Sequence, residues 1–513
     1  MTASRGVALD RLGEEHFDVL VVGGGVVGAA AAARAAELGL RVGLVDRGDF
    51  ASGTSSASSK LIHGGLRYLR MGDVRLVREA LRESEALASW VAPHLVHRLR
   101  FVLPVYRGGP YGPAAMRAAL GVYRVLSGSS AANAFVPGDV AQALVPSLRL
   151  DGLRTAGIYS DAQTNDARLA LANVRAAADG GAAVANHTEA VAIERGGEEW
   201  RVGVADLSGG ARFEVATHTI LNAAGPWVDA VRRLADPQAG TSVTLSKGAH
   251  LVLEAPLGWR AALTIPIDRS RVSFALPWEG ALLLGTTDEP YEGDPAEVAV
   301  TAEDEGEILA EAGRALEPGS VDGTSILARF AGLRVLPAAG GPTSSARRET
   351  MVHRDGPGFV TVAGGKLTTH RRIAAAALDA LAPELGLRSA GGSTSSLPGA
   401  VDPEEQAAAI VDSCPALEAA TAARLARTYG ALAAEVLSPA RVDPALLEPL
   451  APGVDVLGAE VVYAREHEWA LTADDVLRRR TTLSLRGEDT PAVTARVEEL
   501  LQHRVGAAAR AAR

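Results

Sequence analysis

The residues most suited to chemistry form a glycine motif near the start of the chain. Gly23-Gly24-Gly25-Val26-Val27-Gly28 contains the pattern G-x-G-x-x-G directly after an apolar run, residues 17–22. In this pattern the first glycine permits a tight turn, the second lets the backbone approach a pyrophosphate, and the third lets helix and strand pack closely. The helix that follows would direct N–H groups and a positive dipole end at the diphosphate. The motif therefore predicts a dinucleotide site.

A carboxylate supports the same interpretation. Asp46 closes a second predicted strand, residues 41–45, about 20 residues beyond the motif, where such a group can accept hydrogen bonds from ribose hydroxyls. An acidic residue there disfavours the 2′-phosphate of NADP. A glycine-rich turn without function is the alternative, and the accompanying strand, helix and carboxylate count against it. The predicted dinucleotide site comprises Gly23, Gly24, Gly25, Val26, Val27, Gly28, Asp46 and Arg47.

Seven further segments together carry a family signature. They read TSSASSKLIHGGLR (54–67, followed by Tyr68), NAAGPWV (222–228), KGAH (247–250), LPWEGALLLGTTDEPY (276–291), AGLRVL (331–336), AGGKLTTHRRIA (363–374) and YAREHEWALTADDVLRRRT (463–481). In order and spacing these segments closely resemble the FAD-dependent glycerol-3-phosphate dehydrogenases. The resemblance extends over residues 17–481.

The sequence departs from the family pattern at a few positions on two helices. Ala30 and Arg34 stand where the family usually has Gly and Asp on the first helix, and Leu38-Gly39 replaces the common Arg-Gly at its end. His370 stands where the family usually has Tyr. We expect these changes to affect helix packing and the outer rim of the site, and to leave the activity in place.

The resemblance implies FAD as the cofactor, and the lack of a cysteine near the flavin loop favours non-covalent binding. Residues 364–369 precede a strongly helical run, 373–381, so backbone N–H groups and a helix dipole would face the N1/O2 edge of the flavin. The implied contacts to FAD, beyond the glycine motif, are Thr54, Ser55, Ser58, Ser59, Leu61, His63, Gly64, Gly225, Gly365, Lys366, Leu367 and Thr368.

The resemblance also implies the reaction, oxidation of sn-glycerol 3-phosphate to dihydroxyacetone phosphate with hydride transfer from C2 to flavin N5. Such a reaction needs cations for the phosphate dianion and a base or charge stabiliser at O2. At the matching motif positions stand the implied substrate ligands, which are Arg67, Tyr68, Arg334 and Lys366.

The sequence allows two kinds of mechanism for loss of the hydroxyl proton. Either one of two histidines accepts the proton, or no base takes part. His63 and His250 are candidates because imidazole titrates nearest neutrality. An unaided alkoxide, stabilised by Arg334 and Lys366, is the competing hypothesis. The predicted catalytic set is Arg334, His250 and Lys366.

Composition excludes several other classes of protein. The 513 residues are 47% hydrophobic and 22% charged, with a net charge of −10, which disfavours a nucleic-acid-binding protein. A single cysteine, Cys414, gives no reason to expect an oxidising compartment. His94 and His97 have no cysteine or carboxylate cluster nearby, so no metal site is predicted. Without a signal peptide or a spanning segment, we expect a cytoplasmic chain, peripheral on the inner face of the cell membrane.

The elements predict an α/β fold with three parts. These are a doubly wound, Rossmann-like FAD-binding domain (roughly 17–90, 150–240 and 350–387), an antiparallel-sheet substrate domain (roughly 91–149 and 241–349) and a C-terminal helical domain (404–513). The first two make up an oxidoreductase region, 17–387, and a linker, 388–403, precedes the helical domain. A homodimer is left open.

Three functions are weighed for this architecture. In the first, a dehydrogenase passes electrons to a membrane quinone, which residues 90–126 could admit at a membrane-facing surface. In the second, an oxidase passes them to oxygen, although related oxidases carry a longer insertion that is not found here. In the third, a flavoprotein binds without catalysis, and the cationic set of Arg67, Arg334 and Lys366 counts against it.

Overall fold

The computed structural model describes residues 4–65, 73–127, 134–255, 258–269, 271–338 and 350–502. The predicted substrate ligands Arg67 and Tyr68 lie outside these residues. Within them the strands are β1 (His16–Val22), β2 (Val42–Val45), β3 (Leu61–Ile62), β4 (Val96–Tyr106), β5 (Ala134–Val136), β6 (Leu153–Thr164), β7 (Ala183–Ala185), β8 (Thr188–Gly196), β9 (Glu199–Asp206), β10 (Arg212–Asn222), β11 (Val243–Glu254), β12 (Ala262–Pro266), β13 (Val272–Trp278), β14 (Ala281–Gly285), β15 (Glu289–Tyr291), β16 (Ile326–Pro337), β17 (Thr350–Gly356) and β18 (Phe359–Gly364).

The α-helices of the same ranges are α1 (Arg5–Glu14), α2 (Val26–Glu37), α3 (Val74–Ala86), α4 (Pro113–Ser127), α5 (Gly138–Gln142), α6 (Asp166–Asp179), α7 (Val228–Ala235), α8 (Ala302–Ala312), α9 (His370–Leu381), α10 (Pro403–Ser413), α11 (Ala419–Tyr429), α12 (Ala433–Leu437), α13 (Gly458–His467), α14 (Ala473–Asp475) and α15 (Pro491–Gln502). None of the helices in the described ranges is long and apolar enough to cross a membrane.

The first sheet confirms the predicted doubly wound architecture. Its strands run in the order β17-β18-β10-β1-β2-β7, and β18, β10, β1, β2 and β7 are parallel to their neighbours. Strands β9 and β10 form a hairpin in which β9 pairs antiparallel with residues 212–217 of β10. Helices α2 and α9 and helix α6 pack their apolar faces against these strands and bury a continuous core.

Helix α2 forms where the sequence predicts it and ends for the expected reason. Gly25 is its N-cap, and the helix runs through a series of buried alanines that let it lie close to the sheet. Gly39 follows the helix with a φ of +81°, a left-handed conformation that glycine adopts without strain. The departure at Arg34 is structural, because its Nε donates to the carbonyl oxygen of Ala390 at 2.8 Å.

The second sheet is mainly antiparallel, as predicted for the substrate domain. Its order is β15-β11-β14-β13-β12-β4-β6-β3, with β16 beside β11 and β5 beside β6. Only the β4–β12 pair is parallel among the described pairings of this sheet. Two apolar clusters, one on each side of β4, β11 and β14, form its core.

One predicted boundary is wrong. The expected border near residue 150 assigned residues 153–164 to the FAD-binding domain, whereas β6 pairs with β4 along eleven residue positions of the second sheet. The polypeptide returns to the first sheet only with α6, whose N-cap is Asn165. The alternation of apolar residues in β6 did not distinguish the two sheets, because both bury their strands.

The C-terminal region is helical, with its own core built from residues of α11 to α15. The predicted linker, residues 388–403, packs against the rest of the protein at Leu397. The side chain of Leu397 is buried, and its N–H donates to the carbonyl of Val91 at 2.8 Å. Helix α14 begins with a capping box formed by Thr472 and Asp475. Helix α14 then passes directly into a π-helical turn, Val476–Arg480.

Candidate active site

A cavity of about 1360 Å³ lies between the two sheets. The glycine turn after β1, the loop before β3, the facing strands β11 and β16, and the turn after β18 all contribute to its walls. Most of the predicted site residues in the described ranges line it, namely Gly23, Gly25, Val26, Val27, Asp46, Arg47, Thr54, Ser55, Ser58, Ser59, Leu61, His63, Gly225, His250, Arg334, Gly365, Lys366, Leu367 and Thr368. The fold therefore brings both predicted groups, cofactor and substrate residues, to one space.

Three predicted cofactor residues, Gly24, Gly28 and Gly64, are not part of the cavity wall. A Cβ on Gly28 would lie 1.9 Å from the carbonyl oxygen of Gly23, so this glycine permits helix and turn to pack, as the motif predicts. A Cβ on Gly24 would meet Phe50 at 2.4 Å. Gly64 packs against Leu81. These glycines therefore pack just outside the cavity and allow the residues that line it to take their positions.

The glycine turn has the properties of a phosphate cradle. Gly23 has a φ of +108°, and a side chain there would strike the backbone of Ala223. Gly25, in contrast, faces the cavity, and its N-cap position offers no side chain to block the first turn of α2. Backbone and helix dipole can therefore approach a diphosphate closely. This geometry fits a dinucleotide.

Asp46 braces the same turn. Its Oδ2 accepts a hydrogen bond from the Gly24 N–H at 2.6 Å and its Oδ1 accepts one from the Gly48 N–H at 2.9 Å. Burial raises the pKa of this carboxyl to about 6, although the two backbone donors oppose the shift. The side chain lines the cavity, so a contact to ribose remains a prediction.

The loop 54–60 is held in place by hydroxyl groups and by one buried ion pair. Ser55 Oγ accepts from the Val26 N–H at 2.9 Å, and Thr54 Oγ1 donates to the Leu333 carbonyl at 2.7 Å. Lys60 Nζ lies 2.6 Å from Asp166 Oδ1, and neither side chain is more than 2% exposed. Sequence reasoning missed both members of this pair. The available signal was a lysine enclosed by Ser59 and Leu61 in an otherwise uncharged segment.

Asp166 fixes the loop as well as the lysine. Its Oδ2 accepts hydrogen bonds from the N–H and the hydroxyl of Ser58, at 3.0 and 2.7 Å. The ammonium of Lys60 also lies 4.9 Å from the ring centre of Trp278 and 5.2 Å from that of Phe330. The loop that carries four of the predicted flavin contacts is thus anchored to α6 and to the second sheet.

A second buried carboxyl that sequence reasoning missed is Asp161. It lines the cavity, and its Oδ1 accepts a hydrogen bond from Tyr123 Oη at 2.5 Å and one from the Gly64 N–H at 3.3 Å. Burial raises its pKa to about 7. No motif surrounds this residue in the sequence, so only the fold could locate it.

His250 lies on β11, directly across from Gly285 and Phe330. Its ring stacks on Phe330 with centroids 4.8 Å apart, and its Nε2 lies 2.9 Å from Ser59 Oγ. Burial, with the nearby charges of Arg334 and Lys60, lowers the pKa of His250 to about 3. The imidazole is therefore neutral at neutral pH. His63 also lines the cavity, and its backbone N–H donates to Thr368 Oγ1 at 3.0 Å.

Arg334 lies on β16 opposite Ser246, and the chain itself provides the anionic partner that its apolar surroundings require. Its Nη1 is 3.2 Å from Asp288 Oδ1, and its Nη2 donates to Thr286 Oγ1 and to the Thr287 carbonyl, each at 2.9 Å. Position 248 must be glycine to leave room for this guanidinium, because a Cβ on Gly248 would lie 2.5 Å from Nη2. Asp288 therefore compensates the charge of Arg334 within the chain.

The turn after β18 closes the cavity on the side of the first sheet. Lys366 precedes a short 3₁₀ turn, Leu367–Thr369, which leads into α9. His370, one of the departures from the family pattern, is fully buried at the start of α9, where its Nδ1 lies 2.7 Å from the Leu367 carbonyl. Burial lowers the pKa of His370 to about 4.

One group of metal-binding residue types exists among the described residues. Asp49, His187 and Asp475 place possible ligand atoms within 4.8 Å of one another. Arg479 and Arg480 contact Asp49, and Arg479 also contacts Asp475, so guanidinium groups already neutralise these carboxylates. His94 is buried elsewhere, and burial lowers its pKa to about 3. The cluster is an ion network between arginines and carboxylates.

Two family models match this chain and identify the class of protein to which it belongs. Residues 18–371 match the family described as FAD dependent oxidoreductase, and residues 392–511 match the C-terminal domain of alpha-glycerophosphate oxidase. The doubly wound sheet, the glycine turn and the open N-terminus of α2 agree with this match. The protein is an FAD-dependent oxidoreductase.

Individual relatives narrow the class. The chain is 37% identical over 500 residues to glycerol-3-phosphate dehydrogenase 2 of Mycobacterium tuberculosis (strain ATCC 25618 / H37Rv), covering 94% of this chain and 84% of the relative. It is 36% identical over 485 residues to the glycerol-3-phosphate dehydrogenase of Pseudomonas aeruginosa, covering 92% of each. The X-ray structure of the glycerol-3-phosphate dehydrogenase from Bacillus halodurans complexed with FAD matches with a TM-score of 0.77 and 27% identity, over 97% of this chain and 91% of that chain. The chain belongs to the FAD-dependent glycerol-3-phosphate dehydrogenase family.

Proposed function

We propose that this protein oxidises sn-glycerol 3-phosphate to dihydroxyacetone phosphate and passes the electrons to a quinone. The observation that carries the proposal is that Arg334, His250 and Lys366 line the same cavity as the glycine turn. The relatives named glycerol-3-phosphate dehydrogenase support the choice of substrate. FAD supplies the hydride acceptor when bound.

In this proposal, cationic side chains bind the phosphate of the substrate. Arg334 is held rigidly by Asp288, Thr286 and Thr287, so its guanidinium needs little reorganisation to meet an anion. Lys366 adds a compact positive charge from the turn after β18. Arg67 and Tyr68, outside the described residues, complete the proposed set of substrate ligands.

The candidate acceptors for the proton of the substrate hydroxyl are His250 and His63, which both line the cavity. His250 is uncharged at neutral pH, and a dianionic substrate would raise its low pKa toward the working range. Its contact with Ser59 Oγ orients the ring. An alkoxide stabilised by Arg334 and Lys366 without a base is the competing route, and the two differ in how the rate responds to loss of His250.

The choice of quinone rests on the apolar part of the cavity. Phe101, Leu103, Ala115, Met116 and Ala119 line it, and all belong to the segment proposed at the sequence level as a quinone entrance. On α4 the side chains of Val122 and Val125 are exposed, which suits contact with a membrane surface.

We accordingly place the protein in the cytoplasm, peripheral on the inner face of the membrane, and leave a homodimer open. The oxidase remains the alternative, supported by the name of the C-terminal family.

The test of this proposal is an anaerobic titration followed by a choice of acceptor. Mixing the holoenzyme with sn-glycerol 3-phosphate should bleach the flavin absorbance, and a soluble quinone analogue should restore it faster than air does. Stoichiometric hydrogen peroxide on exposure to oxygen, with slow reoxidation by quinone, would favour the oxidase. Flavin that dithionite reduces and sn-glycerol 3-phosphate does not would contradict both.

A further inference from the structure

One end of the cavity is walled by two different parts of the chain. The turn after β2, residues 46–49, and the segment 187–190 contribute one wall. The C-terminal region contributes the other through Thr472, Asp474, Asp475, Arg478 and Arg479. In a doubly wound fold the carboxylate that closes the second strand marks the ribose of the adenosine half, so Asp46 identifies this as the adenosine end.

Asp49 joins the two walls through buried charges. Its Oδ2 lies 2.5 Å from Arg480 Nη1 and its Oδ1 lies 2.8 Å from Arg480 Nη2, which is a bidentate pair. Arg479 Nε adds a third contact to Oδ2 at 2.5 Å. The side chains of Asp49 and Arg480 are 1% and 0% exposed.

The pairing extends from Asp49 to the cavity wall itself. Arg479 Nη2 lies 2.9 Å from Asp475 Oδ1 and 2.9 Å from Asp474 Oδ2, and both carboxylates line the cavity. Asp475 in turn caps α14 by accepting a hydrogen bond from the Thr472 N–H. A change at Asp49 would therefore move the C-terminal wall through Arg479.

Apolar packing couples the same region to the phosphate cradle. Trp469, in the C-terminal region, meets Phe50 edge-to-face with ring centroids 5.5 Å apart. Phe50 fills the space behind Gly24, where a Cβ would approach it within 2.4 Å. Asn186 reinforces the junction by donating to Asp49 Oδ1 at 2.9 Å and to the Trp469 carbonyl at 2.8 Å. The C-terminal domain thus contacts the glycine turn through one intervening ring.

We propose that the C-terminal helical domain clamps the adenosine half of FAD, with segment 472–480 as the clamp and Asp49 as the positioning residue that docks it. Docking of the clamp and binding of FAD are then linked, and each favours the other by the same factor. The linkage acts through the adenosine end, so it concerns FAD and ADP and does not concern FMN, which lacks the adenosine half.

The test uses the full-length chain freed of flavin and titrated separately with FAD and with FMN. Asp49→Asn should weaken FAD binding at least about tenfold, within the usual range of coupling between two sites, and change FMN binding less than about twofold. Arg478→Ala, at a half-exposed side chain on the same wall, should weaken FAD binding in the same direction by a smaller factor. Equal losses for FAD and FMN in both variants would overturn the proposal.

A matched control separates the clamp from general stability. Glu460 is a buried carboxylate in the same domain, paired bidentately with Arg424 at 2.6 and 2.8 Å, and it does not line the cavity. Glu460→Gln should lower the thermal midpoint and leave the ratio of FAD to FMN affinity unchanged. A ratio that falls as far in Glu460→Gln as in Asp49→Asn would contradict a specific role for Asp49.

A second measurement needs no variant. Hydrogen exchange of the backbone amides in residues 472–480 should slow when ADP or FAD binds the wild-type chain, and should stay at the flavin-free rate with FMN. Protection by ADP would support the clamp even if Asp49→Asn fails to fold. Exchange that ADP and FAD leave unchanged would overturn it.

Discussion

Two of the side chains proposed to meet the substrate, Arg334 and His250, are ionisable groups placed among apolar neighbours on the cavity wall. Arg334 is 17% exposed and compensated by Asp288, and His250 is buried and neutral. The Arg334 guanidinium is a strong electrostatic partner for a bound anion, because little water screens it. The sequence identified Arg334, His250 and Lys366 by their motifs, and it could not show that Asp288 would share the guanidinium of Arg334.

Discrimination between phosphorylated and plain glycerol is the first prediction at this scale. Arg334→Ala and Lys366→Ala should each lower kcat/KM for sn-glycerol 3-phosphate by about tenfold to a hundredfold, the loss of one charge-assisted contact of roughly 1.5–3 kcal/mol. Oxidation of glycerol, which has no phosphate for these cations to bind, should barely change. Steady-state kinetics on both substrates, with flavin content measured in each preparation, provides the check.

Arg354→Ala is the matched control for that prediction, because Arg354 lies on β17 with Glu384 as its partner and is not part of the cavity wall. It should retain the wild-type kcat/KM on both substrates. Equal losses on the two substrates in Arg334→Ala would instead assign that residue to the flavin or the fold.

Acid stability is the second prediction, and it depends on a histidine buried in its neutral form. The folded pKa of His370 is about 4, below the value near 6.5 expected in the unfolded chain. Below pH 6.5 the unfolded chain therefore takes up a proton that the folded state excludes, and stability falls as the pH falls toward 4. This one residue should cost about 1.4 kcal/mol for each pH unit in that window, and nothing above it.

The measurement compares thermal midpoints at pH 7.5 and pH 5 for His370→Gln and for His353→Gln, a change at a half-exposed histidine on β17. His370→Gln should narrow the gap between the two midpoints, and His353→Gln should keep the wild-type gap. An unchanged gap in His370→Gln would mean that the imidazole takes up its proton without unfolding the chain.

At the scale of elements, the sequence predicted the parts that follow local rules and missed those set by tertiary contacts. Helix α2, its glycine terminator and the hairpin of β9 and β10 were predictable from spacing and turn residues. The placement of β6 in the second sheet was not, since a buried strand carries no mark of the sheet it joins. The anchoring of loop 54–60 by Asp166 was equally hidden, because the partner lies 106 positions away in the chain.

That anchor provides the third prediction. Asp166→Asn leaves the buried ammonium of Lys60 without its carboxylate and should destabilise the protein by about 3–5 kcal/mol, with loss of bound FAD as the loop loosens. Adding Lys60→Met to Asp166→Asn should recover part of the stability, because it removes the uncompensated charge. Thermal unfolding and the flavin-to-protein ratio together measure both effects.

The control for the anchor is Arg75→Gln, which removes an arginine that is 88% exposed in its pair with Glu79. Such surface pairs contribute little, so the thermal midpoint should hardly move. If Asp166→Asn were as mild as Arg75→Gln, the ion pair would not be what holds the loop.

At the scale of the whole molecule, no single part of the chain makes the site. The first sheet contributes the glycine turn, the second sheet contributes Arg334 and His250, and the C-terminal region closes the end beside Asp46. The family resemblance predicted the first two contributions from quoted motifs. It offered no role for the helical domain, because the contacts of Arg479 and Arg480 with Asp49 join residues more than four hundred positions apart.

In the proposed reaction, a hydride leaves C2 of sn-glycerol 3-phosphate for the flavin in this cavity. Anaerobic stopped-flow mixing of the holoenzyme with substrate deuterated at C2 measures that step directly through the flavin absorbance. Flavin reduction should be slower than with unlabelled substrate, and its rate should be unchanged when the deuterium is at C1 instead. Flavin reduction that is slowed by deuterium at C1 and not at C2, or that does not occur with either substrate, would contradict it.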